Sequence, residues 1–349
     1  MNNPEMENIE MKNIDRQNQI EIIAEIAQGY EGNPFLAKLL TKGAIRSDAD
    51  AIKFQLVYAD ELATADYHYF SLFKKLEMDD SQWKEITALI HHAGKKIYFD
   101  VYGAKSLQLA QDLHADGIKL STTEFYNTDL MSVALQAGFK RILISLGGIP
   151  LTDIQEFLRR EPTLTSLPVF FLVGFQSEPT PLNGNNLNRI RKLQELFPQL
   201  KFGFMDHSLG ISDDALYLPL VSIGTGICCI EKHFSLDPLL EIEDYVSALA
   251  PDKFKEFVRL IRTYETALGT SSLELSALEI EYRKKAVKIV VALEDIQPGT
   301  ILTRQNTALK RIGTRFAKTQ TINKLEMVLN RKNAAFLHQD EPVSESDLQ

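Results

Sequence analysis

Eight short runs rich in β-branched or aromatic residues recur through the first three-quarters of the chain, at 20–26, 51–57, 96–102, 117–122, 141–146, 168–175, 201–207 and 227–234. Between them lie segments with helical spacing of apolar positions, such as Phe35, Leu36, Leu39 and Leu40, or Leu187, Ile190, Leu193 and Leu196. Alternation of strand and helix points to a parallel sheet. Runs such as Val169 to Val173 are continuously apolar, as strands covered on both faces are. A doubly wound open sheet is the alternative, but eight units of this spacing predict a closed (β/α)8 TIM barrel over 20–268.

The 349 residues exceed one average domain. After a helix near 252–268, a polar stretch over 269–286 reads as a linker or extended arm. A new β-rich module spans 287–349, with a short strand at 287–292 and a tight turn at Pro298-Gly299. About sixty residues fold alone only marginally, so this module is expected to dock on the barrel or on another subunit. The first 19 residues read as a disordered or loosely attached tail and lack the apolar stretch of a secretory signal. No apolar run approaches the roughly 18–20 residues that cross a bilayer. A net charge of −9 argues against a nucleic-acid partner. Cys228 and Cys229, adjacent in a strand-like run, are poorly placed for a disulfide, and reduced thiols fit a cytoplasmic protein.

Barrel strands present their chemistry at their C-terminal ends. In order, the expected strands end on Glu25, Lys53, Asp100, Lys119, Ser145, Gln176, His207 and His233, at positions where packing alone would favour apolar residues. His207 and His233 end the seventh and eighth strands, which are neighbours in a sequentially wound barrel, and Glu25 closes the ring beside them. A lone His is more often a hydrogen-bonded core group. The paired placement favours ligands, and nitrogen with oxygen donors in an open site suits Mn2+ or a similar divalent ion. Lys53 and Lys119 bring two ammonium groups to the same mouth; left unpaired they would call for anionic cargo, and the alternative is pairing with Glu124 and Asp100. Ser145 ahead of Gly147-Gly148 offers a hydroxyl and backbone donors for phosphate. His68, His91, His92 and His114 lie away from strand ends and read as structural. Tyr67, Tyr69, Phe70 and Phe73 read as local packing, and Arg283-Lys284-Lys285 as a solvated face.

These residues sit inside longer stretches: Ile23-Ala24-Glu25-Ile26, Ile52-Lys53-Phe54-Gln55, Ile118-Lys119-Leu120-Ser121, Pro179-Thr180-Pro181, Asp206-His207-Ser208-Leu209-Gly210 and Glu231-Lys232-His233-Phe234-Ser235-Leu236-Asp237. In this order and spacing the chain resembles the N-acetylneuraminate (sialic acid) synthase family. The module with Val291-Ala292-Leu293-Glu294-Asp295-Ile296 and Lys310-Arg311 is similar to that family's antifreeze-like (SAF) domain. The resemblance implies condensation of phosphoenolpyruvate with an N-acetylated hexosamine, typically N-acetylmannosamine, to a nine-carbon sugar acid and phosphate. It implies His207 and His233 as ligands of a divalent metal, with Mn2+ first and Mg2+ or Co2+ as alternatives. Lys53 and Lys119 are implied as phosphoenolpyruvate-binding and Glu25 as the acidic group at the reacting centre. Thr122, Ser145 and Gln176 fall in the substrate pocket, and Glu124 and Asp244 against the sugar. Arg311 matches an arginine inserted into a partner's site, which implies a domain-exchanged homodimer.

The chain departs from the family pattern at several of these positions. Asp100-Val101 stands for Thr-Pro, Gln176 and Glu178 for Asn and Tyr, and Met205 for Ser. An aspartate repels phosphate unless it is protonated, paired or turned away. Two alternatives follow: a metal-dependent barrel enzyme with another donor, and a non-catalytic sugar-binding paralogue.

Overall fold

The computed structural model describes residues 19–270, 272–316 and 320–349. The expected tail over 1–19 therefore lies outside the described residues up to residue 18. The chain divides into two compact units between Gly269 and Thr270.

The first unit contains β1 (Glu21–Ala27), β2 (Ala51–Gln55), β3 (Lys96–Asp100), β4 (Gly117–Leu120), β5 (Arg141–Ser145), β6 (Val169–Val173), β7 (Lys201–Asp206) and β8 (Cys229–His233). Neighbours pair in parallel and in sequence order, and β1 pairs with both β2 and β8, so the sheet is a closed barrel without edges. All strands but β1 are shorter than the apolar runs that announced them. Val101, Ser121 and Phe175 belong to the loops leaving the barrel's upper end, and His207 stands one residue beyond β7.

The connecting helices are α1 (Pro34–Arg46), α2 (Ala59–Leu62), α3 (Phe70–Leu76), α4 (Asp80–His92), α5 (Ala104–Asp112), α6 (Thr128–Gln136), α7 (Leu151–Arg160), α8 (Asn188–Leu196), α9 (Asp214–Ile223) and α10 (Pro251–Glu265). Local chemistry sets their starts. Asn33 caps α1 by accepting from the backbone N–H groups of Phe35 and Leu36, and Pro34 supplies a preset φ at its first turn. Asn127 caps α6 in the same manner, through Leu130 N–H.

Because side chains alternate along a strand, the barrel builds two cores. Outward-facing Ile22, Ile52, Phe54, Ile97, Phe99 and Phe171 meet the helices in one continuous cluster. Trp83 of α4 packs edge-on against Tyr30, Phe54 and Phe99, with ring centroids 5.2–5.6 Å apart. Each such buried side chain contributes roughly 1.5–3 kcal/mol. Inward-facing Ile23, Ala51, Tyr98, Leu143, Phe170, Leu172, Met205 and Cys229 fill the barrel's middle. Polar groups are thereby confined to its two ends. At the lower end Glu21 accepts from Tyr98 Oη at 2.7 Å, and its carboxylate also meets Lys96 and, at 3.3 Å, Arg141 Nε.

The second unit opens with α11 (Ala277–Ala286), so the stretch read as a linker or extended arm is helical in its second half. Ser276 and Glu279 form a reciprocal capping box that starts this helix. Antiparallel β9 (Ile289–Ala292) and β10 (Thr307–Lys310) follow. Isolated bridges, Ile296 with Leu337 among them, wrap a small core of Val290, Ile296, Leu302, Ile322, Val328, Leu337 and Val343. The Pro298-Gly299 turn is present: Gly299 holds φ +85° and Thr300 N–H donates to Gln297 O at 3.2 Å.

Candidate active site

The upper end of the barrel opens into a cavity of about 430 Å³. Its lining includes Glu25, Asp100, Lys119, Gln176, Glu178, His207, Glu231, His233 and Asp244. Seven of the strand-end residues singled out by sequence thus reach one mouth or lie just under it; Lys53, fully buried, is among the latter.

Five charged groups interlock at the floor. Lys53 Nζ from β2 contacts the carboxylates of Glu25 and Asp100, the latter at 2.5 Å, and lies 3.6 Å from Glu231 Oε2. Lys119 Nζ from β4 meets Glu231 Oε1 at 2.6 Å and Asp100 Oδ2 at 3.9 Å. The expectation of unpaired lysines does not hold: Asp100 pairs with them as the alternative had it, but Glu124 does not. Burial pushes the Lys53 ammonium below the ordinary lysine range despite its carboxylate neighbours. Burial opposes charge on Lys119 and Glu231 too, but their mutual attraction prevails, so Lys119 is raised and Glu231 lowered. With all five ionised, two ammonium groups face three carboxylates, one negative charge in excess.

Glu25 sits at a bulge where β1 skips Ile26, Glu25 pairing with Lys53 and Ala27 with Phe54, and its Oε1 accepts from Ala27 N–H at 2.6 Å. Its other oxygen meets Lys53, its register partner on β2. Glu25 is also the register partner of His233, so it does close the ring between β1 and β8.

Above the floor stand the two imidazoles, ring centroids 5.0 Å apart. Burial drives the pKa of His207 down to about 4 and that of His233 well below the ordinary histidine range, the latter helped by the adjacent His207. Both rings are neutral at pH 7, the state in which imidazole binds metal. Donor atoms of Glu178, His233 and Asp244 all lie within 4.8 Å of one another, and His207 Nδ1 is buried without a hydrogen-bond partner. Asp244 adopts a left-handed conformation with φ 65°, and burial followed by the neighbouring Glu178 raises its pKa well above the ordinary carboxylate range. Glu178, His233 and Asp244 form a donor set that fits a divalent cation, and the His207 ring stands beside it.

The other expected groups are placed differently. Thr122 Oγ1 and Ser145 Oγ share a hydrogen bond of 2.9 Å, and Thr122 also donates to Gly147 O at 2.9 Å. Glu124 accepts from Asn127 Nδ2 at 2.9 Å, and burial raises its pKa. Arg311 lies in the second unit, beside Lys310, Gly313 and Arg315 around a separate cavity, with its Nε donating to Ala286 O at 3.3 Å. Phe73, read from the sequence as local packing, lines the mouth, as do Gln28, Tyr102 and Thr123, which no strand end announces, and Glu231 and Gln55. For Glu231 and Gln55 a local cue existed. Gln55 stands two residues from Lys53 and Glu231 two from His233, each on the same strand and face.

Residues 40–272 match the model of the NeuB family, and 287–349 match that of the SAF domain. The chain belongs to the NeuB family. This family member is 27% identical to the N,N'-diacetyllegionaminic acid synthase of Legionella pneumophila, over 86% of the chain and 88% of that protein. It is 24% identical to the pseudaminic acid synthase of Helicobacter pylori over 94% and 97%, and 26% identical to human N-acetylneuraminate-9-phosphate synthase over 83% and 82%. All three relatives are named as synthases. The fold matches the sialic acid synthetase of Leptospira borgpetersenii, with TM-score 0.70, 24% identity and coverage of 77% of this chain and 93% of that one. Among the described residues, no helix is long and apolar enough to cross a membrane.

Proposed function

We propose that this NeuB family member condenses phosphoenolpyruvate with the open-chain aldehyde of an N-acetylated hexosamine, N-acetylmannosamine or a modified relative, to give a nine-carbon sugar acid and phosphate. The observation that carries the reading is the convergence of two neutral imidazoles and two ammonium groups on one barrel mouth. The synthase names of the relatives support it.

His207 and His233 hold the cation, Mn2+ in the first instance, which when bound supplies Lewis-acid polarisation of the aldehyde carbonyl. Lys53 and Lys119 hold the donor's carboxylate and phosphate, which requires Asp100 and Glu231 to yield part of their hold. The enol carbon then attacks the aldehyde carbon within one encounter complex, forming the C–C bond. Glu25, beside Lys53, steadies the positive charge developing at the former enol carbon until water adds there and phosphate departs. Thr122 and Ser145 serve the phosphate end, and Gln176, Glu124 and Asp244 the sugar. In a domain-exchanged homodimer Arg311 reaches the partner's substrate.

A second reading, a synthase with a less charged donor, is favoured by one specific observation: Asp100 and Glu231 already neutralise the lysines. Phosphate release from phosphoenolpyruvate with Mn2+ and a panel of N-acetylated hexosamines tests the first reading. Release above the no-sugar control supports it. No release, together with thermal protection by a neutral carbonyl compound and none by phosphoenolpyruvate, moves the assignment to the second.

A further inference from the structure

Along each barrel strand, residues facing the helices alternate with residues facing the interior. Among the described residues, the outward positions of all eight strands are apolar with two exceptions, Asp206 on β7 and Lys232 on β8. These two are register partners, fully buried, with their charged ends 2.9 Å apart. Ser208 completes the knot. Its N–H donates to Asp206 Oδ1 at 2.8 Å and its hydroxyl to Asp206 Oδ2 at 3.0 Å. Lys232 Nζ in turn donates to Ser208 O at 3.0 Å and to Ser208 Oγ at 3.1 Å.

His207 lies between Asp206 and Ser208, and His233 follows Lys232. Three residues that grip one another therefore flank both imidazoles. Packing alone gives no reason for charge here, since desolvation can exceed the attraction within a buried pair, and apolar residues of similar volume often stabilise as well or better. Directional bonds offer what apolar side chains lack: they tie the end of β7 to β8 at the point where the ladder stops and His207 leaves it. The carbonyl of His207 is also held, by Thr180 N–H at 2.8 Å and Ser247 Oγ at 3.1 Å. Its ring Nδ1 has no hydrogen-bond partner, so the ring takes its aim from this pinned backbone.

Resting on the reading of His207 and His233 as cation ligands, we infer that Asp206 and Lys232, tied through Ser208, are positioning residues that set the spacing of the two imidazoles without touching cation or substrate. Partners of this kind, when lost, typically cost about 10- to 100-fold in metal affinity.

The test is a titration of the metal-free full chain with Co2+ alone, followed by its visible ligand-field band. Wild type is compared with Lys232→Met, Asp206→Asn and, as a control at the barrel's opposite end, Tyr98→Phe. Lys232→Met is expected to bind Co2+ about tenfold more weakly with an altered band. Asp206→Asn changes both in the same direction, while Tyr98→Phe lowers the melting temperature and leaves affinity and band as they were. Unchanged affinity and band in whichever of the first two variants folds overturn the positioning role and leave the cation reading standing. Weakening by Tyr98→Phe in proportion to its lost melting temperature also overturns it, because general softening then suffices. A wild type that binds no Co2+ overturns both.

Discussion

The two ends of this barrel are both polar, yet they are built on opposite terms. At the lower end one carboxylate, Glu21, gathers Tyr98, Lys96 and Arg141, and the cations reach solvent: the Lys96 side chain is 48% exposed and that of Arg141 20%. At the upper end three carboxylates crowd two ammonium groups that are 0% and 3% exposed. Water can relax the lower arrangement, so it closes the barrel at little electrostatic cost. The upper one is desolvated, sets three carboxylates against two ammonium groups and sits under two imidazoles, which suits a place where charge is to be exchanged with a bound ligand.

Breaking each end in turn sharpens that contrast. Lys53→Met leaves Glu25 without an ammonium partner and Asp100 and Glu231 with Lys119 alone, and is expected to cost about 3–5 kcal/mol in urea unfolding as well as synthase turnover. A loss well under this would mean that the upper cluster is as relaxed as the lower. His207→Ala should reduce Mn2+-dependent turnover by more than about 100-fold with the fold intact by circular dichroism, because on the proposed reading His207 is a cation ligand. Undiminished turnover at saturating substrate would contradict the ligand assignment. Asp100→Asn removes one negative charge from the place proposed for the donor's anionic groups. If the donor is phosphoenolpyruvate, its Michaelis constant should fall by about tenfold, roughly 1.4 kcal/mol; an unchanged constant favours the less charged donor. Tyr98→Phe, at the lower end, should cost about 1 kcal/mol and leave turnover alone, as measured by parallel unfolding and kinetic assays.

The barrel was legible because its strands are short apolar runs at regular spacing, and both cores follow from their alternation. Helix α11 was not: Leu278, Ile280 and Tyr282 are all exposed, so it carries no buried apolar stripe, and only the Ser276 to Glu279 spacing of its capping box betrayed it. The strand-end positions named Glu25, Asp100, Lys119, Gln176, His207 and His233, which stand where a barrel keeps its chemistry, but the rest of the lining, such as Gln28, Phe73 and Tyr102, comes largely from loops and helices that strand ends do not announce. What the chain order hides is which charges meet. Carboxylates from β1, β3 and β8 converge on lysines from β2 and β4, and only the closed sheet brings such distant positions within hydrogen-bond reach.

In the proposed reaction, cation and donor face each other across the upper mouth. Diffraction from crystals soaked with Mn2+ and phosphoenolpyruvate, collected at the manganese edge, tests it most directly. An anomalous peak between His207 and His233, phosphate oxygens against Lys119, and Asp100 turned away from the anion are expected. An ion held elsewhere, or phosphoenolpyruvate absent while Asp100 stays on both lysines, would contradict it.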